Sequence, residues 1–194
     1  MSGFGRAAPV SFGPNTVSYY GAFLQPLTIN PEGLPTLPSA CDHISLTPLS
    51  STSKLVTLAG LTGYDPAGAD NATTVPEQAA MAYAKLKTCL AAAGATPRDI
   101  VQVKHYVVKD TGDPNVDSLD IVDRGWGDLW VAFMDKHANG HRPPQTVIGV
   151  ACLAKKEILY ECEVWAIVNP EDSTPRPLGG GFRTQGALQV MPHN

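Results

Sequence analysis

Two glutamates in one apolar segment carry the most direct chemical signal in the sequence. Glu161 and Glu163 lie in residues 158–168, whose mostly apolar composition is typical of a β-strand. Within a sheet the Glu161 carboxyl is partly removed from water, which raises its pKa toward values that suit a general acid or base. The alternative is that both carboxylates, two apart and so on one strand face, are simply solvated. Spacing alone leaves both interpretations open.

Three histidines could also act on protons or bind a metal. His105 lies in the middle of a predicted strand beside Tyr106, where it could serve as an acid or base, although a core or interface role is commoner. His137 and His141 have the i,i+4 spacing of a metal-binding pair, but an Asn-Gly pair between them interrupts the helix that would align them. The carboxylates of residues 110–123 lack the ligand order of an EF-hand. The sequence therefore predicts no metal site and no cofactor.

Composition argues against several classes of function. The 194 residues carry a formal net charge of −4 and contain no run of Lys and Arg, so we expect no nucleic-acid partner. No segment reaches the ~18 consecutive apolar residues of a membrane span. The first residues lack the basic-then-apolar order of a secretory signal, which favours a cytoplasmic location. The four scattered cysteines are interpreted as reduced thiols, although Cys152 and Cys162 fall in consecutive predicted strands and could lie side by side.

Strands and helices alternate in the middle of the chain and would position these residues. The first helix is expected between a cap at Thr74 and a stop at Gly94, with apolar residues recurring every three or four positions. Residues 110–123 are expected to form a loop. The order predicts an α+β domain with two helices packed on one face of a mixed β-sheet. The remaining predicted elements are strands at 54–60, 100–108, 145–153 and 158–168, and a second helix that carries Trp126, Leu129, Trp130, Phe133 and Met134.

Proline and glycine divide the chain into three parts. Residues 1–40 are predicted to be a Pro/Gly-rich N-terminal extension, in which a short edge strand at 17–20 is possible. Residues 41–170 are predicted to form the domain itself. Residues 171–194, rich in Pro and Gly, are predicted to form an irregular C-terminal arm.

Short segments along the middle of the chain match the order and spacing of motifs in one known family. The segments L-A-G-L and D-P-A-G resemble the family's V-S-G-Q strand end and N-P-x-T-G turn. The segment P-P-Q-T-V resembles P-x-R-S-x-V, and Y-E-C-E-V resembles I-E-I-E-A. The matching segments are residues 58–61, 65–68, 78–94, 99–101, 107–110, 143–153 and 160–164.

Over residues 54–168 the chain thus resembles the Rid/YjgF family, also known as the L-PSP endoribonuclease or chorismate-mutase-like group. The resemblance implies a homotrimer whose three sheets surround a central barrel, with a small-molecule cleft at each subunit interface. The best known members hydrolyse reactive enamines and imines of 2-oxo acids to release ammonia. In them an arginine holds the substrate carboxylate and a glutamate handles a proton or water. Glu161 corresponds to that glutamate, so the resemblance favours an acid/base role for Glu161, whereas Glu163 is still interpreted as structural.

The chain departs from the family pattern at the expected substrate site. Gln145 stands at the arginine position, and an amide cannot form the bidentate ion pair that guanidinium makes with a carboxylate. Thr146 keeps a hydroxyl where the family has serine. Ala59 and Leu61 replace a serine and a glutamine, which makes that wall of the expected pocket more apolar, and Gly60 between them would bring backbone close to a ligand. A cleft that keeps its acid/base residue but lacks the carboxylate clamp suits a neutral or larger substrate.

The leading hypothesis is a cofactor-independent enzyme of a specialised pathway that acts in clefts at trimer interfaces. It would catalyse hydrolysis, tautomerisation or rearrangement of an imine, enamine, enol or related reactive intermediate. Glu161 would move the proton or orient water, Gln145 and Thr146 would bind a carbonyl or hydroxyl, and backbone near Gly60 would help to hold the ligand.

Three alternatives remain open at this point. The first is a plain 2-iminobutanoate/2-iminopropanoate deaminase in which Gln145 suffices or Arg142 or Arg183 replaces the missing arginine. The second is a non-catalytic metabolite-binding or regulatory trimer. The third is a ribonuclease, which an acidic chain without a basic groove disfavours.

Overall fold

A mixed seven-stranded sheet organises residues 26–34, 41–65 and 72–169, the part of the chain that the computed structural model describes. The helices are Val75–Ala92 (α1), Pro114–Asp117 (α2) and Trp126–Ala138 (α3), and short 3₁₀ turns occupy Pro97–Asp99 and Ile121–Asp123. The strands are Leu27–Ile29 (β1), Ile44–Pro48 (β2), Lys54–Leu58 (β3), Leu61–Thr62 (β4), Ile100–Val108 (β5), Gln145–Val150 (β6) and Tyr160–Val168 (β7).

The strand order is β1-β2-β3-β7-β5-β6, and β4 pairs with β7 beside β3. Every pairing is antiparallel except that of β5 with β6, which is parallel. The last strand in sequence, β7, therefore lies near the middle of the sheet and is hydrogen-bonded on both sides. The edge strand β6 carries Gln145 and Thr146, so both residues lie at the border of the sheet.

Helix α1 begins where the sequence predicts. Thr74 caps it through a capping box, in which the Thr74 side chain accepts a hydrogen bond from the Glu77 N–H and the Glu77 carboxylate accepts from Thr74. Just beyond its carboxyl end Gly94 adopts a φ of +72°, a left-handed conformation that glycine adopts without steric cost. The apolar stripe of α1, which includes Tyr83 and Leu86, is buried against the sheet. The predicted helix is thus confirmed at both ends.

The segment 110–123, predicted to be a loop, contains the one-turn helix α2 and a 3₁₀ turn. Asp113 caps α2 and Pro114 occupies its first turn. Arg124, only 6% exposed, holds this segment against the sheet, because its guanidinium donates to the backbone carbonyls of Val108 and Lys109, each at 2.8 Å. A single helical turn has no apolar periodicity, which is why the sequence pattern did not reveal it.

The two faces of the sheet differ sharply. Alternate residues of β5 and β7 point toward α1 and α3 and are fully buried, among them Val103, His105 and Tyr160. The opposite face carries Lys104, Tyr106, Thr146, Glu161, Glu163 and Trp165 and is here called the open face. Both long helices thus pack on one side, as predicted.

Strands β1 and β2 extend the sheet beyond the elements predicted from sequence. Strand β1 lies inside the segment assigned to the N-terminal extension and pairs with β2, so part of that segment belongs to the sheet. The possible strand at 17–20, most of the turn at 65–68 and the arm at 171–194 lie outside the described residues.

Two further properties concern membranes and thiols. Within the described ranges no helix has the length and apolarity needed to span a bilayer. The four cysteines are free, and Cys162 is buried in the core whereas Cys152 is exposed, so these two are not joined.

Candidate functional site

Glu161 lies on the open face against the backbone of Gly60. A Cβ atom placed on Gly60 would overlap Oε1 of the Glu161 carboxyl, so the absence of a side chain at residue 60 makes room for that carboxyl. The position is fixed from both sides, because Glu161 pairs with Thr62 of β4 and with Tyr106 of β5. The sequence placed Glu161 and Gly60 in one site, and the fold brings them into contact.

The environment of Glu161 favours its protonated form. Burial raises the pKa of the Glu161 carboxyl above its ordinary value, and the negative charge of Glu163 raises that pKa further. Among the described residues none donates a hydrogen bond to this half-buried carboxyl. A carboxyl with a raised pKa holds a proton more readily than an ordinary glutamate, which suits it to general acid or base chemistry.

Glu163 differs from Glu161 because its carboxylate is fully engaged. It accepts hydrogen bonds from Lys104 Nζ at 3.2 Å, from the Tyr106 hydroxyl at 3.0 Å and from Trp165 Nε1 at 3.2 Å. The Lys104 ammonium also lies 5.5 Å from the centroid of the Trp165 ring. Glu163 therefore holds a polar network together on the open face, while Glu161 is left available.

Tyr106 is a residue of this site that the sequence analysis did not select. It lies directly across from Glu161 in the β5–β7 pairing, and its hydroxyl donates to Glu163. Burial and the charge of Glu163 raise the pKa of the Tyr106 hydroxyl, which keeps it a hydrogen-bond donor. The alternation of β5 puts Tyr106 on the face of Lys104, but only the pairing with β7 reveals the two glutamates beside it.

Gln145 and Thr146 fall on opposite faces at the start of β6. Gln145 pairs with Val103 and so lies on the side of the helices, whereas Thr146 pairs with Lys104 on the open face. Both side chains are exposed at the sheet edge. Within one chain Thr146 therefore shares a face with Glu161, and Gln145 does not.

The two neighbours of Gly60 have different surroundings. Ala59 is half-buried, and its N–H donates to the carbonyl of His43 at 2.8 Å. Leu61 pairs with Cys162 on the helix side and is buried in the hydrophobic core. Of the two, Ala59 is the partly accessible one, and Leu61 supports the site from beneath.

The remaining sequence candidates lie away from Glu161. His141 bonds the Ile100 carbonyl at 2.8 Å, and no group of three or more metal-binding side chains occurs within the described ranges. Arg142, considered as a replacement for the missing arginine, is exposed and contacts Asp135 of α3. His105 of β5 is fully buried on the helix side of the sheet.

Comparison with known proteins identifies the family of this chain. A family model described as endoribonuclease L-PSP matches residues 45–168. The chain belongs to this family, the Rid/YjgF family. The matched segment runs from β2 to the end of β7 and so contains Gly60, Gln145, Thr146 and Glu161. No curated protein sequence matches the chain significantly.

Solved structures of the Rid/YjgF family share the fold of this chain. Escherichia coli TdcF with bound serine is 20% identical, with a TM-score of 0.58, over 74% of this chain and 99% of that one. The YjgF gene product of Escherichia coli is 23% identical, with a TM-score of 0.56, over 73% and 98%. The Rid family protein YyfA from Yersinia pestis is 16% identical, with a TM-score of 0.59, over 74% and 100%. At these identities the likeness concerns the fold.

Proposed function

We propose that this Rid/YjgF family member is a cofactor-independent acid/base enzyme that acts on a reactive imine, enamine, enol or related small molecule. The observation that carries the proposal is the Glu161 carboxyl, half-buried against Gly60, with a raised pKa and no hydrogen-bond donor among the described residues. A structural carboxylate normally resembles Glu163, whose oxygens are occupied by donors. Glu161 has instead the features of a group that exchanges protons with a ligand.

Imine hydrolysis illustrates the chemistry that one carboxyl can perform. The Glu161 carboxylate accepts a proton from water as the water oxygen bonds to the imine carbon and the C=N electron pair moves to nitrogen. The resulting carboxylic acid delivers that proton to nitrogen, which gives a carbinolamine. The Glu161 carboxylate then accepts the carbinolamine hydroxyl proton and passes it to nitrogen, so that the C–N bond breaks and ammonia leaves as the carbonyl forms. For an enamine or enol the same acid protonates carbon instead. The raised pKa suits Glu161 to both the base and the acid step.

We propose further that the working unit is a homotrimer with its clefts between chains. Trp165 is 39% exposed on the open face although it is a large apolar residue, and burial by a neighbouring subunit would remove that area from water. Gln145 and Glu161 lie on opposite faces of one sheet, so a cleft that contains both is most simply built from the Gln145 edge of one chain and the Glu161 face of another.

The test is ammonia release from imines generated in situ. A dehydratase acting on serine and threonine supplies 2-imino acids, and a ketimine without a carboxylate supplies a neutral substrate. The Glu161→Gln variant is compared with Glu157→Gln, which changes an exposed carboxylate before β7. We expect turnover to fall by about 100-fold or more in Glu161→Gln and to be unchanged in Glu157→Gln. Equal rates in the two variants would overturn the acid/base role.

The substrate panel also separates the proposal from a plain imino-acid deaminase. Preference for the neutral ketimine supports a site without a carboxylate clamp. Preference for the 2-imino acids would assign the chain to the deaminases, with Glu161 in the same role. Binding of either compound without any turnover would point to a metabolite-binding trimer instead.

A further inference from the structure

His105 has a buried nitrogen whose bonding is incomplete. The side chain is 0% exposed, and among buried side-chain nitrogens and oxygens of the described ranges only its Nε2 has no hydrogen-bond partner. The ring is held in place, because its centroid lies 4.5 Å from the Trp126 ring and 5.2 Å from the Trp130 ring. A buried polar atom in a native fold is expected to have a partner, so Nε2 of His105 points to a contact that completes it.

A chain of hydroxyl groups fixes the tautomer of His105. The Tyr83 hydroxyl donates to the Trp126 carbonyl at 3.3 Å, which uses its proton. The Tyr160 hydroxyl, 2.8 Å away, must then donate to Tyr83, and Nδ1 of His105, 2.6 Å from Tyr160, must carry the proton that it donates to Tyr160. This arrangement uses all three protons. It leaves Nε2 as a bare lone pair, which can only accept a hydrogen bond.

Gln145 is positioned to supply that hydrogen bond. In the parallel pairing of β5 and β6, Gln145 lies opposite Val103 and His105 lies opposite Val147. Both polar side chains therefore project on the helix side, and their positions differ by two residues in register. Burial lowers the pKa of His105 to about 4. His105 is therefore neutral at physiological pH and available to accept from the amide.

We propose that the Gln145 amide donates an N–H to Nε2 of His105 and thereby turns its carbonyl oxygen outward, which makes the site select ligands that carry a hydrogen-bond donor. His105 is in this sense a positioning residue. The hydroxyl groups of Tyr160 and Tyr83 determine which atom donates in each hydrogen bond from Tyr83 through His105 to Gln145. The inference rests on the proposed function in one respect, namely that Gln145 borders the ligand cleft.

The outward oxygen determines the chemical class of the ligand. A glutamine that is free to rotate offers either its NH₂ or its carbonyl to a ligand, whereas one whose NH₂ is engaged offers mainly the carbonyl oxygen. That oxygen accepts from an amide, enol or iminium proton, and it faces a carboxylate unfavourably because both are acceptors. The favoured ligand is a small carbonyl-derived compound with an N–H or O–H group at this end.

Pyruvamide and pyruvate form a matched pair of probes of similar shape, since one carries a neutral NH₂ donor where the other carries a charged carboxylate oxygen. We expect the wild-type protein to bind pyruvamide about tenfold more tightly than pyruvate, which corresponds to the net effect of about one hydrogen bond. Calorimetry measures both affinities. Equal or tighter binding of pyruvate, or no binding of pyruvamide, would overturn the proposal.

Two variants test the mechanism behind the preference. Tyr160→Phe keeps the ring but removes the hydroxyl that accepts from Nδ1, so His105 can move its proton to Nε2 and the amide can reverse. We expect the preference for pyruvamide to be lost or inverted. Gln145→Met leaves the core untouched and should abolish the preference in either direction. A preference retained in Gln145→Met would contradict the assignment even if Tyr160→Phe proved unstable.

Nitrogen NMR of the histidine rings reports the tautomer directly, without any ligand or turnover. We expect the proton on Nδ1 of His105 in the wild type and on Nε2 in Tyr160→Phe; a protonated Nε2 in the wild type would overturn the proposal. This readout is independent of Glu161. If the protein shows the predicted tautomer and the preference for pyruvamide but no turnover, the proposed enzyme activity alone is wrong. If turnover depends on Glu161 but pyruvamide is not preferred, only the proposed role of His105 and Gln145 is wrong.

Discussion

Gly60 and Glu161 are in contact across the junction of β3, β4 and β7, and the contact leaves no space for a side chain at residue 60. The carboxyl is thereby held between a strand end and the sheet, partly out of water yet open on one side. Because its position depends on the absence of one methyl group, activity and stability should respond very differently to small changes here.

Gly60→Ala should impair turnover far more than folding. The added methyl meets the flexible end of Glu161 rather than backbone, so the carboxyl can swing aside at little cost. We expect turnover to fall by about tenfold or more, while the free energy of unfolding changes by about 1 kcal/mol or less. Gly127→Ala in α3, where a Cβ meets nothing closer than the Val122 carbonyl oxygen at 3.9 Å, is the control and should leave turnover unchanged. Parallel losses of stability and activity in Gly60→Ala would contradict this view.

The raised pKa of Glu161 makes stability depend on pH in a defined direction. Since the folded-state pKa lies above that of the unfolded chain, the carboxyl contributes stability below the unfolded-state pKa and loses it as pH rises through the folded-state pKa. Glu161→Gln, which cannot ionise, should therefore gain stability relative to wild type at about pH 8 and show little gain at about pH 4. Thermal unfolding at both pH values measures the difference. A larger gain at the acidic pH would reverse the assignment.

Gln78 should be one of the most sensitive positions of the core. Its buried amide donates to the carbonyls of Ala72 and Glu157 at 3.0 and 2.7 Å and accepts from the N–H groups of Leu159 and Tyr160 at 2.7 and 3.3 Å. Gln78→Leu fills similar space but leaves these backbone groups without partners, at a cost of about 3 kcal/mol or more.

Chemical denaturation measures that loss. Gln102→Leu on β5 changes a half-buried amide of the open face and provides the comparison. We expect it to cost less than about 1 kcal/mol. Equal losses in the two variants would show that the four-bond bridge contributes little.

Arg124→Lys should loosen the segment between β5 and α3. The planar guanidinium reaches several carbonyls at once, including those of Val108 and Lys109, and also lies 3.8 Å from the Asp117 carboxylate. An ammonium group cannot reproduce this fan of donors, and we expect a loss of about 2 kcal/mol with faster hydrogen exchange in α2. Arg142→Lys, at an exposed arginine, should have no measurable effect. Unchanged exchange in Arg124→Lys would contradict the bracing role.

The open face should be buried in the assembled protein. Light scattering after gel filtration is expected to give three times the 20.5 kDa mass of the chain. Trp165→Asp should shift that mass toward the monomer, whereas Val131→Asp, at a similarly exposed apolar residue of α3, should not. A monomeric wild type would rule out the trimer, and dissociation by Val131→Asp alone would place the interface on the helices.

The sequence predicted regular features that depend on local pattern. The helix cap at Thr74 and the strand at 100–108 follow from residue type and spacing, and both are present. Helix α2 and strand β1 were missed because three or four residues are too few to show a period. Local pattern is thus sufficient for long elements and insufficient for short ones.

The candidate site shows the other limit of sequence interpretation. Which residues share a face within one strand follows from alternation, so the sequence alone predicts that Glu161 and Glu163 lie on the same face. Which residues share a face between strands depends on register and direction, and these placed Gln145 beside His105 rather than beside Glu161. The hydroxyl partners of His105 lie in α1 and β7, far away in sequence, and no local signal connects them.

The parallel pairing of β5 and β6 has a consequence for the order of folding. A hairpin cannot join parallel strands, so β6 reaches its place only after the chain has crossed over through α2 and α3. Closing that crossover is slower than forming the antiparallel pairs of β2 with β1 and with β3, which join strands close in sequence. We therefore expect β6 to acquire protection from hydrogen exchange after β1, β2 and β3 during refolding. Because β6 is an edge strand, we expect it to lose that protection before β7 under mild denaturant. The part of the site that contains Gln145 would then form later than the β1–β3 region that leads into Gly60.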